Sequence, residues 1–216
     1  VSKTYYKVKS ADNTINVTGS AQKEIVSDSA RWSANFNRTV GVDQLKDGSI
    51  LIKKDLDAVV DYVTKNGIKK EQLTINPVTV YPTYETSNYG STSKVNGYTV
   101  SQQIVVESQN VENLTKIAQD STSLLAQGIV FSSSPVEYYY SKLDDLKIEM
   151  LGAATDNAKQ RAQEIAEKSG ADLGSLKAAS MGVFQITPVN STDVSDYGVF
   201  DTSAIKKRIT AVVRTT

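Results

Sequence analysis

The chain has 216 residues, its 24 Lys plus Arg are balanced by 24 Asp plus Glu, and it contains neither Cys nor His. Balanced charge removes the attraction that drives non-specific nucleic-acid binding, and no basic stripe with interleaved aromatics replaces it. Without thiols or imidazoles there are no disulfides, no thiolate metal sites and no histidine base, so any metal ligands would be oxygens and no cofactor is expected.

Apolar residues make up 39% and charged residues 22%, enough for a folded core. No apolar run reaches the roughly 18 residues of a membrane span. The absence of cysteine fits a reducing cytosol or an exported protein equally well. Because the chain starts at Val1, we expect that an upstream signal or anchor was removed.

Residues 1–13 are polar, carry Tyr5 and Tyr6, and read as an N-terminal arm; residues 14–216 read as one domain with room for two lobes. A short strand is expected over 15–19. From 29 to 42 the chain alternates. Ala30, Trp32, Ala34, Phe36, Val40 and Val42 share one face, and Arg31, Ser33, Asn35, Asn37 and Thr39 the other, as in a half-buried strand. Trp32 reads as a core anchor.

A first helix starts at 44 or 49 and ends at 66, with Ile52, Leu56, Val59, Val60 and Val63 on one face. Residues 73–84 form a strand that contains Pro77 and Pro82, which points to an edge or a bulge. Residues 85–96 are polar and read as a long hairpin loop. A strand follows over 98–106, with Tyr98, Val100, Ile104 and Val106 on one face.

The second helix covers 111–127 and another strand 129–140. The third helix, 143–169, carries Ile148, Leu151, Ala154, Ala158, Ala162, Ile165 and Ala166 as a narrow seam with little bulk, suited to close approach. Strands over 176–188 and 205–214 flank a polar connection at 189–203. The run Lys206, Lys207, Arg208 reads as a solvated opening of the last strand.

Each helical stretch stops at a glycine, Gly67, Gly128 or Gly170, as a left-handed cap requires. The order β-β-α-β-β-α-β-α-β-β predicts an α+β fold: a mixed, largely antiparallel sheet with three helices on one face.

Several blocks together resemble the SIMPL-domain family. Ile15-Asn16-Val17-Thr18-Gly19, followed by Ser27-Asp28-Ser29-Ala30, is similar to the start of the family pattern, although Ser27 stands where a proline is common. Asn66-Gly67-Ile68, Leu73-Thr74-Ile75, Tyr81-Pro82, Gly97-Tyr98 and Gly128-Ile129 follow in the family's order. The fullest block is the alanine-rich helix and its exit: Ala158-Lys159, Ala162, Ile165-Ala166, Ser169-Gly170 and Leu173-Gly174.

The resemblance implies an exported, periplasmic or cell-surface protein, envelope-associated, of a family with links to oxidative stress and with ring-like oligomers. It carries over no catalytic residue.

Chemistry without histidine would rest on carboxylates: Asp28, Glu137 and the pair Asp144 and Asp145. Each has a structural reading. Asp28 suits local bonds in a Ser-Asp-Ser turn, and Asp144 and Asp145 suit the positive end of the third helix. The hydrolase elbow, the dinucleotide and phosphate-loop glycine motifs and the calcium loop are all missing.

Tyrosine is in excess, eleven against four Phe. Tyr138, Tyr139 and Tyr140 must divide between two faces of a strand. Tyr84, Tyr89, Tyr197 and Phe200 fall in the long loops, so with Tyr139 they are the candidate interaction residues. The expectation is a non-catalytic oligomeric scaffold or binding module that associates with itself and with an envelope protein or a glycan. The alternatives are a glycan-binding protein or carboxylate-based hydrolase, and a cytosolic signalling adaptor.

Overall fold

The computed structural model describes residues 14–87 and 90–216; the arm expected over 1–13 lies outside the described residues. In chain order the elements begin with β1 (Val17–Val26), β2 (Ser29–Gly41), α1 (Leu45–Lys65), β3 (Leu73–Ile75), β4 (Thr79–Ser87), β5 (Gly90–Ser108) and α2 (Val111–Asp120). They continue with β6 (Phe131–Ser133), β7 (Glu137–Tyr139), α3 (Leu143–Ser169), β8 (Ala179–Met181), β9 (Gln185–Pro188), β10 (Val199–Phe200) and β11 (Lys206–Thr215). The α+β class and the three helices match the expectation. The single expected sheet is replaced by two, because alternation shows that a strand exists but not which strand it pairs with.

The chain divides into two compact units. The tryptophan unit comprises Val26–Ser141 and Thr202–Ile205. Its sheet is antiparallel: β2 and β5 pair from Ala30 opposite Ser108 to Gly41 opposite Gly97. β3 and β4 flank β5, while β6 and β7 flank β2. The inward face of β2 is the predicted one at Ala30, Trp32, Ala34 and Phe36, all buried. Ile52, Val59 and Val63 of α1 and Leu114 and Ile117 of α2 pack on it, together with Val100, Ile104 and Val106 of β5. Trp32 donates Nε1–H to Ser133 Oγ at 2.8 Å, so its polar edge is satisfied.

Two expected strands are interrupted by proline. Residues 76–78, around Pro77, separate β3 from β4, and residues 134–136, around Pro135, separate β6 from β7. The first break is closed by side chains: Gln102 Nε2 donates to the Asn76 carbonyl, and Asn76 Nδ2 donates to Gln103 Oε1. The expected loop over 85–96 is instead mostly strand, since β4 runs to Ser87 and β5 starts at Gly90.

The alanine unit comprises the described residues up to Ile25, Lys142–Asp201 and Lys206–Thr216. Its strands run in the order β1-β11-β9-β10, with β8 also on β11; β9 and β10 are parallel, and β11 is antiparallel to β8 and β9. α3 packs on β11 and buries Leu146, Met150, Ala154, Ala158, Ala162 and Ala166, a stripe at four-residue spacing. Ile148, placed in the seam by sequence, is 72% exposed, and Ile165 is exposed as well.

Gly19 was expected to end a short strand, yet it lies inside β1, a ten-residue strand. A Cβ at Gly19 would collide with the Ala154 carbonyl and the Ala158 amide nitrogen, so backbone rests on backbone there. The glycine stops behave as predicted. Gly67, Gly128 and Gly170 all have positive φ, and the residue after each donates to a carbonyl five back: Ile68 to Val63, Ile129 to Leu124 and Ala171 to Ala166.

Candidate functional site

β4 is an edge strand, and among the described residues β5 is its one strand partner. Val78, just before it, and Val80, Tyr81 and Tyr84 within it are all exposed, giving an apolar strip along an uncovered edge. Val80 lies opposite the buried Val100 and Pro82 opposite Tyr98, so Val80 continues the inward face of the sheet, while Tyr81, opposite Thr99, projects from the other face of the same edge. Register shifts fall on both sides of Tyr84, and Pro82 offers no N–H. Both features spoil the edge as a template for unlimited strand addition while leaving the side chains available.

Of the candidate interaction residues, Tyr84 sits on this strip and Tyr89 lies outside the described residues. Tyr197 is 97% exposed in the connection before β10, and Phe200 on β10, three residues on, is exposed as well. Gly198, between them, has positive φ and approaches the Phe184 carbonyl too closely for a Cβ to fit comfortably. Tyr197 and Phe200 belong to the alanine unit and Tyr84 to the tryptophan unit.

Tyr139 is half-buried and donates to Glu137 Oε2 at 3.1 Å. Arg31, opposite Glu137 on β7 and Glu107 on β5, stands 3.7 Å from each carboxylate, so the four form a cross-strand polar cluster. Burial, and then the hydrogen bond to Glu137, push the Tyr139 phenol up from its ordinary value. As the strand period requires, Tyr138 points the other way, is buried, and shares a hydrogen bond with Thr115.

The carboxylates serve framework roles. Asp28 was expected to bond within its own turn. Instead it accepts from the backbone N–H and the hydroxyl of Ser141, both at 2.8 Å, tying the β1–β2 turn to the end of β7. Asp144 is fully solvent-facing in the first turn of α3 beside Lys147. Among the described residues no three acidic groups lie close enough to hold a metal ion.

Two inward-pointing charged groups, the half-buried Arg38 and the buried Lys207, escaped the sequence reading. Arg38 occupies an even position on the inward face of β2, where the alternation passes over it between Phe36 and Val40. It binds Asp55 in a fork, Nε to Oδ2 at 2.6 Å and Nη2 to Oδ1 at 2.7 Å, and also donates to the Gly128 carbonyl. Asp55 is 3% exposed, and its hydrogen bond raises the Arg38 pKa further.

Lys207, expected to be solvated, is 2% exposed: it points inward from β11 and donates to the Asp201 carbonyl. Burial lowers its pKa, against the attraction of Asp201. In both cases the available signal was parity, a charged residue in phase with buried neighbours.

Fold and surface together define an α+β protein with ion pairs on its inward faces and an uncovered apolar strip along a strand edge. Residues 15–215 match the family model SIMPL, described as a protein of unknown function (DUF541), and the chain belongs to that family. The comparison with curated proteins finds no match. Among the described residues no helix is long and apolar enough to cross a membrane.

Proposed function

We propose that this chain works by contact: an exported, envelope-associated SIMPL protein that associates with copies of itself and serves as a scaffold or binding module, with a role in stress tolerance. The observation that carries the reading is the apolar strip on β4. Val78, Val80, Tyr81 and Tyr84 stay exposed on an edge that no other described strand covers, although large apolar side chains gain from leaving water. Pro82 and the register shifts argue for a bounded, side-chain-mediated contact over an extended ladder.

The compartment rests on the family resemblance, with which the cysteine-free composition is compatible. The test is solution mass across a concentration series, for the native chain and for Val80→Lys with Tyr84→Lys. Both positions are exposed, so the fold tolerates the change. Native chain that gains mass with concentration, and a double variant that stays monomeric, are the expected results. A native chain that stays monomeric throughout, or a variant that assembles equally well, would overturn the contact. For the compartment, fractionation of the producing cell should place the protein with the envelope; recovery from the cytosol would remove that part.

A further inference from the structure

We infer that the alanine unit binds a small single-chain carboxylate, an amphipathic anion of the fatty-acid kind. The site is a cavity of about 420 Å³ lined by the entry to β1, the middle of α3, the 173–177 loop and the end of β11. Its origin is geometric. Gly19 lets β1 rest on the α3 backbone at Ala154 and Ala158, but one turn on, at Ala162, the side chain is too small to fill the space that opens beside Ile15. Leu173 and Leu176 wall the other side and remain exposed, so two leucines face a cavity where a packed core would be expected.

The volume falls in the range of about 300–1,000 Å³ typical of small-molecule sites, which are apolar with a few polar groups to fix orientation. Charge selects the ligand. Lys159 and Lys177 line the cavity, and among the described residues no Asp or Glu side chain does. Among the described residues Lys159 has no hydrogen-bond or ion-pair partner. An apolar tail against Ile15, Ala162, Leu173 and Leu176, with a carboxylate head toward the lysines, satisfies both features. The tail supplies most of the affinity, since cations in contact with water hold an anion weakly; the lysines set the sign of the head.

This inference is independent of the β4 contact, because the residues it names belong to the other unit. The test is titration calorimetry on the full chain with decanoate, alongside acetate, decanol and phosphatidylglycerol vesicles. Expected are saturable binding of decanoate, none of acetate, and weaker binding of decanol. The double substitution Lys159→Glu and Lys177→Glu should weaken decanoate about tenfold or more with melting behaviour preserved. Leu176→Asp, at another exposed position, should weaken it too. No saturable binding of decanoate, equal binding by the lysine variant, or capture by the vesicles without binding of free decanoate would overturn it.

Discussion

The two units solve the problem of burying a helix on a sheet in opposite ways. The tryptophan unit fills the space with bulk, Trp32, Phe36, Ile52, Ile104 and Leu114 being fully or almost fully buried. The alanine unit removes bulk, with Ala154, Ala158, Ala162 and Ala166 in line on α3 and Gly19 pressed against them. Bulk stabilises through area taken from water, whereas close approach depends on nothing being in the way. The first should therefore fail when atoms are removed and the second when they are added.

The largest effect should come from truncation in the bulky core. Trp32→Ala removes the biggest buried side chain, and it should cost about 3–5 kcal/mol in denaturant unfolding. A loss under about 1 kcal/mol would break the contrast, because it would mean that the core collapses freely around the gap.

Addition in the slim unit comes next. Gly19→Ala puts one carbon where backbone already stands and should cost about 1–3 kcal/mol, with faster amide exchange in β1 and α3 than in β2 and β5. An unchanged exchange pattern would show that β1 does not depend on contact with α3.

The smallest effect sharpens the comparison by pH. The folded Lys207 pKa lies below the ordinary 10.5, so in the window just under 10.5 the unfolded chain holds more protons than the folded one. Stability contributed at this site should rise as pH climbs through that window, and Lys207→Met should lose the rise. Identical profiles for the two proteins would show that Lys207 is not desolvated.

What could be read from the sequence follows the same division. α3 begins and ends where its glycine stop and seam placed it, and the β2 face around Trp32 is the predicted one, because a buried face imprints a period on the residues that form it. The hairpin ends over 85–96 were read as loop since many of their side chains are solvated, leaving no apolar period to find. Arg38 and Lys207 were missed for a different reason: their partners, Asp55 and Asp201, come from other segments, so the pairs exist only after folding. Gly19 looked like a terminator because the residue it must accommodate is far away on α3. For the candidate interaction residues, sequence pointed to aromatic rings, but not to the edge strand that gathers Tyr84 with Val80 and Tyr81.

The central claim, that the β4 strip is where this chain makes contact, is tested most directly by hydroxyl-radical footprinting of tyrosines across a concentration series. The account predicts that labelling of Tyr81 and Tyr84 falls as concentration rises, while Tyr62, whose hydroxyl is bonded inside its own unit to the Ile117 carbonyl, stays constant. Labelling of Tyr81 and Tyr84 that stays the same at every concentration would contradict it.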